Sequence, residues 1–209
     1  TTDRIVFRLD SDEETGKCYP FAFTYRVIYE LDGDVLHITY QVENHDEKTM
    51  YFGIGGHPGF LVPMEDSLGF EDYYLEFEGT KDYDEPVRIG FSPDCFVDGG
   101  MTPFPLTDGS KIPLKHSLFD NDAIVLTHTS KTVSLKSDRG TRRVTVSYPD
   151  MDYIGFWHAT LTEAPYVCIE PWSSLPSRQD IVEDLSTQPG LKSLKAGGVY
   201  RNSWSIEIH

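Results

Sequence analysis

Two short segments hold the residues best suited to moving protons. In the first, Tyr51-Phe52-Gly53-Ile54-Gly55-Gly56-His57-Pro58-Gly59-Phe60, a histidine follows three glycines and precedes a proline. Imidazole ordinarily changes charge near neutrality, so it can give or take a proton there. Extended backbone would put Tyr51, Gly53, Gly55 and His57 on one face, with Phe52 and Ile54 on the other. Glycine at two of those positions implies space cleared for a ligand or for another stretch of backbone. The same pattern also fits a glycine bulge beside a hydrogen-bonded core histidine. The second segment is Tyr166-Val167-Cys168-Ile169-Glu170-Pro171-Trp172-Ser173-Ser174. Alternation sends Val167 and Ile169 to the core, and Tyr166, Cys168 and Glu170 to the opposite face. A carboxylate ending such an apolar strand at Pro171 is costly to bury unless paired or hydrogen-bonded. Partial burial would raise its pKa towards the range of a general base working near neutrality. A glutamate on an exposed sheet rim is the alternative, and the adjacent Trp172 argues against full exposure.

These side chains need strands to hold them. Period-two alternation recurs along the chain, as in residues 35–42, where Leu36, Ile38, Tyr40 and Val42 share a face. Asp32-Gly33 joins this run to residues 21–31, a strong hairpin signal. Further strands are expected at 73–78, 123–129, 132–137, 142–148, 153–160, 165–170 and 203–208. Helical periodicity is nearly absent; a turn or two around Arg178–Leu185 is the best candidate. Residues 86–118, with Pro86, Pro93, Pro103, Pro105 and Pro113, read as loop-rich. No internal repeat, low-complexity tract or linker appears, so residues 1–209 read as one all-β domain of antiparallel sheets.

Composition narrows the chemistry. With 18 Lys and Arg against 34 Asp and Glu, the chain carries a formal net charge of −16, spread along its length. Such a field repels nucleic acid and anionic membranes, and argues mildly against a strongly anionic substrate. Aromatic residues make up 13% of the chain, which favours strands and suits stacking on the C–H faces of sugars. Cys18, Cys95 and Cys168 are odd in number and widely spaced, as expected for reduced thiols in a cytoplasmic protein. No HxH, HExxH or Cys–His spacing points to a metal, and no metal or cofactor is expected. His37, His45, His116, His128 and His209 show no partner pattern.

Four segments in order, FGIGGHPGF, LFDNDAIVL, YIGFWHA and YVCIEPWSSLPSRQD, resemble the aldose 1-epimerase superfamily, and most of all its bacterial galactose mutarotase-related branch. The resemblance spans essentially the whole chain and is strongest at 51–60 and 165–180. It implies a large antiparallel β-sandwich, the galactose mutarotase-like supersandwich, with a broad concave sugar site. It also implies cofactor-free interconversion of the α and β anomers of a free hexose. The family's catalytic histidine and glutamate fall on His57 and Glu170. Asp120 matches a sugar-hydroxyl acceptor, with Asp122 a near alternative, although either could instead cap a loop. Trp157, His158 and Trp172 fall near the expected rim as substrate-binding candidates, with a core role the alternative for each tryptophan. The family's N-terminal segment, with its own sugar-site residue, has no counterpart in residues 1–50, and Thr1-Thr2-Asp3 reads as the middle of a family chain. A second chain supplying that segment, or a homo-oligomer, is therefore an expected partner beside the sugar. Two other functions remain open: a non-catalytic carbohydrate-binding or sensory domain, and a hexose-6-phosphate 1-epimerase. For the latter, Arg178 is the one basic residue beside a motif.

Overall fold

The computed structural model describes residues 3–79 and 85–209; Thr1 and Thr2 of the opening stretch lie outside them. In chain order its elements are β1 (Arg4–Asp10), α1 (Glu13–Cys18), β2 (Phe23–Asp32), β3 (Val35–Asn44), β4 (Met50–Phe52), β5 (Gly59–Leu61), β6 (Tyr74–Phe77), β7 (Val87–Phe91), β8 (Val97–Pro103), β9 (Lys111–Pro113), β10 (Ile124–Thr127), β11 (Thr132–Lys136), β12 (Val144–Ser147), β13 (Tyr153–Trp157), β14 (Tyr166–Trp172), β15 (Lys192–Leu194) and β16 (Val199–Ile208). One sheet runs β1-β2-β3-β16-β12-β11-β6-β9, a second runs β5-β14-β13-β10-β7-β8, and β15 pairs with β4. Pairings between these strands are all antiparallel. The expected all-β antiparallel sandwich is what forms.

Alternation explains the two layers. Ile38, Leu75, Phe77, Val133, Leu135, Val146 and Trp204 of the eight-stranded sheet share one buried cluster with Ile124, Leu126, Ile154, Phe156, Val167 and Ile169 of the six-stranded sheet. Each large side chain buried this way contributes roughly 1.5–3 kcal/mol. The β2–β3 hairpin closes where the sequence indicates, with Asp32 paired to Val35 and Gly33 at φ 59°. A two-residue hairpin needs a positive φ in its turn, which glycine takes without a Cβ clash.

Several expectations change. No helix forms around Arg178–Leu185; Asp180 sits at φ 59° there, and Arg178 forms a bridge to Val97 beside β8. The short α1 forms instead, because Asp12 accepts the backbone N–H of Thr15 while the Thr15 hydroxyl accepts that of Asp12. The stretch expected to be loop-rich holds β7, β8 and β9, with Pro86 just before a strand, Pro103 and Pro113 at strand ends. β8 and β9 are both sheet edges, where a missing N–H costs least. The strand expected to reach residue 160 stops at Trp157, and the next segment turns through Leu161 at φ 54°.

Candidate functional site

The outer face of the six-stranded sheet presents Val125, Gly155 and Glu170 as a row of directly opposed residues on β10, β13 and β14. The neighbouring row on the inner face, Ile124–Phe156–Ile169, belongs to the core. Gly155 lies between Val125 and Glu170 in that row, against the Glu170 and Trp172 side chains. A Cβ there would stand 3.4 Å from Glu170 Cβ and 3.6 Å from the Trp172 ring.

His57 reaches Glu170 from a separate stretch of backbone. Residues 53–58 are not a strand, contrary to one expectation; they form a corner strapped across β14. Gly56 N–H donates to Pro171 O at 2.9 Å, and Ile169 N–H donates to Pro58 O at 3.2 Å, so both sides of His57 are tied next to Glu170. The glycines permit this approach. A Cβ on Gly55 would lie 2.9 Å from Pro171 O, and one on Gly56 would lie 2.5 Å from the Trp204 ring. The space they clear is filled by the protein's own backbone and rings rather than by a ligand. Pro171 does not end β14, which continues to Trp172. Proline has no N–H to give there, and its carbonyl takes the Gly56 N–H.

The result is an unequal pair. His57 Nδ1 lies 3.4 Å from Glu170 Oε1, with the histidine side chain 61% exposed and the glutamate 4% exposed. The His57 ring stands edge-on to Trp157, with centroids 5.8 Å apart and planes at 87°. Burial pushes the Glu170 carboxyl above the usual glutamate range, and the charge of Asp122 adds to that push. The charge of His57 and a hydrogen bond from the Trp172 side chain oppose it. A carboxylate that holds its proton more readily than usual, next to an imidazole, is the arrangement general acid–base catalysis requires.

A cleft of about 1090 Å³ opens over the pair and is lined by His57, Glu170, Trp157, Trp172, Asp120 and Asp122, among others. Asp120 is exposed at the end of a short 3₁₀ turn, His116–Phe119. Asp122 sits at φ 71° and accepts a hydrogen bond from the Cys95 thiol at 3.4 Å. His158 is the exception among the expected sugar-facing residues. It is fully buried, with Nε2 3.1 Å from His116 Nδ1, Nδ1 2.8 Å from Ala159 O, and Phe119 packed 4.5 Å away. The residue after Trp157 turns inward, where, among the described residues, a histidine and a carbonyl meet its polar atoms.

The family model for aldose 1-epimerase matches residues 1–205. The chain belongs to the aldose 1-epimerase family. Plasmid and chromosomal forms of protein LacX from Lactococcus lactis subsp. lactis are 30% identical to it over 212 aligned residues, covering 98% of this chain and 68% of each relative. A galactose mutarotase related enzyme from Lactobacillus acidophilus superposes with a TM-score of 0.91 at 34% identity, over 100% of this chain and 69% of that one. A galactose mutarotase-like protein from Lactobacillus casei superposes with a TM-score of 0.90 at 29% identity, over 100% and 71%.

In this aldose 1-epimerase family member, one wall of the cleft comes from residues 86–118, expected to be loop-rich. Arg88, Ser92, Cys95, Asp98 and Thr102 line it, all from the stretch read as loop. The alternation of Val87, Ile89 and Phe91 was the available signal for β7, and the surrounding prolines obscured it. Arg178, by contrast, is not a cleft residue; its guanidinium is held by Glu183 at 2.7 Å.

Proposed function

We propose that this chain interconverts the α and β anomers of a free aldohexose, with Glu170 and His57 as the proton-transfer pair. The observation that carries the reading is a buried carboxylate 3.4 Å from an exposed imidazole at the floor of an open cleft. Ionised Glu170 takes the proton of the anomeric hydroxyl while protonated His57 gives one to the ring oxygen. The C1–O5 bond breaks as the C1 carbonyl forms, and rotation about C1–C2 turns the other face of the carbonyl to the ring hydroxyl. In reclosure His57 removes that hydroxyl's proton and Glu170 returns one to the carbonyl oxygen, so both groups end as they began. Each transfer supplies roughly 10²–10⁴-fold. Trp157 and Trp172 offer apolar faces to the sugar, and Asp120 and Asp122 offer hydroxyl acceptors.

The cleft lining favours a neutral sugar over a phosphorylated one. Its carboxylates are Asp98, Asp120, Asp122 and Glu170, and Arg88 is the single Lys or Arg side chain among its described residues. We place the reaction in a reducing cytoplasm, in keeping with three free thiols. Polarimetry with freshly dissolved α-galactose and α-glucose tests the proposal. Mutarotation should accelerate, and Glu170→Gln should abolish the acceleration. A folded protein that binds these sugars without accelerating either would instead be a carbohydrate-binding module.

A further inference from the structure

One side chain against the pair has no part in anomer exchange. Cys168 lies two residues before Glu170 on the same face of β14, and its Sγ packs beside Gly59, 3.6 Å from where a Cβ would stand. The thiol is buried, yet it sits below the corner that carries exposed His57. One donor atom from each of His57, Cys168 and Glu170 falls within 4.8 Å of the others.

Imidazole nitrogen, carboxylate oxygen and thiolate sulfur together suit a borderline-soft divalent cation rather than magnesium or calcium. Tetrahedral zinc, with bonds of about 2.0–2.3 Å, sets neighbouring donors roughly 3.3–3.8 Å apart. The 3.4 Å between His57 Nδ1 and Glu170 Oε1 already matches that edge. Cys168 Sγ needs to move inward by no more than about 1.5 Å, within reach of a small side-chain rotation. One thiolate and one carboxylate also balance the charge of a divalent ion.

We propose that His57, Cys168 and Glu170 form a binding site for Zn²⁺ or a similar borderline-soft divalent cation, and that its occupation switches off the proton-transfer pair. On binding, the Cys168 S–H bond breaks, its proton leaves to solvent and a metal–sulfur bond forms. His57 enters in its neutral form, and the fourth coordination position faces the cleft. The ion then occupies the lone pairs that acid–base chemistry needs. The binding half stands on the geometry alone; the inhibition half rests on the epimerase reading.

Two measurements separate those halves. The full chain carrying Cys18→Ser and Cys95→Ser, which leaves Cys168 as its one thiol, is titrated with Co²⁺. A thiolate-to-cobalt charge-transfer band should grow to one equivalent, bleach with Zn²⁺, and vanish when Cys168→Ser is added. Absence of the band in the Cys18/Cys95 variant overturns the site, whether or not the Cys168 variant folds. In polarimetry, Zn²⁺ should inhibit the unsubstituted chain and EDTA should restore it. Cys168→Ser, compared with its own metal-free rate, should raise the inhibiting concentration about tenfold or more. Equal inhibition of both proteins, or acceleration by Zn²⁺, overturns the switch. A chain with the cobalt band but no mutarotation at all keeps the metal site, and refutes the epimerase reading and the switch with it.

Discussion

Two histidines of this molecule, His57 and His158, differ in almost every respect. His57 stands in the open cleft over a buried carboxylate, and its backbone is tied down on both sides. His158, one residue beyond the tryptophan that His57 touches, is sealed among Phe70, Phe119 and His116. An exposed ring beside an acid can exchange protons with a substrate. A buried ring between a carbonyl and a second imidazole has its hydrogen bonds committed: the Ala159 carbonyl can only accept, so Nδ1 of His158 donates to it, and Nε2 pairs with His116 Nδ1. The first ring is open to whatever enters the cleft, and the second is held in place by its neighbours.

Exchanging the two losses is the sharpest test of that contrast. His57→Asn should lower kcat by roughly 10²–10⁴-fold while leaving the unfolding temperature nearly unchanged. His158→Ala should reverse the pattern. It leaves His116 without its imidazole partner and opens a void against Phe119, at a cost of roughly 2–4 kcal/mol, while kcat falls far less than in His57→Asn. In a chain of this size that cost corresponds to about 5–15 °C in calorimetry. A His158 variant that keeps its stability but loses kcat as His57→Asn does would erase the distinction.

Much of this was legible in the chain because strand alternation is local. Val167 and Ile169 against Glu170, and Ile38 against Thr39, sort to their faces by a rule that needs no distant partner. The hairpin at Gly33 is local as well. The glycines at 53, 55 and 56 announced close approach, but whether to ligand or backbone depended on Ser174, Pro171 and Trp204, all more than a hundred residues away. His158 looked like a rim residue because it follows Trp157; its inward turn is decided by His116, forty-two positions earlier. The grouping of His57 with Cys168 was invisible to spacing rules for the same reason.

A smaller effect follows from the strain of burying Glu170. Its folded-state pKa lies above the ordinary glutamate value, chiefly through burial, so the folded protein holds that proton more tightly than the unfolded chain. The contribution to stability is therefore full below the unfolded glutamate value and is lost as pH climbs through the raised one. Glu170→Gln removes this dependence. Denaturant melts across the acidic range should show the variant gaining on the parent as pH rises through that window, and a parallel pair of curves would contradict the burial account.

The finest division lies between the two neighbouring aspartates in the cleft. Asp122 helps to raise the Glu170 pKa, whereas Asp120 has no part in that shift. Removing the Asp122 charge favours ionised Glu170, so Asp122→Asn should move the acidic limb of the kcat/KM profile to lower pH. The shift must be modest, because burial is the larger cause and remains in place. Asp120→Asn keeps the limb where it is and, if that carboxylate accepts a sugar hydroxyl, shows itself as a higher KM. The Cys95 thiol that donates to Asp122 would still meet an acceptor oxygen on asparagine, so the loop has little reason to move. Equal shifts of the limb in both variants would mean that the two aspartates act on Glu170 through general charge rather than position, and would weaken the claim that the sequence-matched Asp120 and the electrostatically coupled Asp122 do different work.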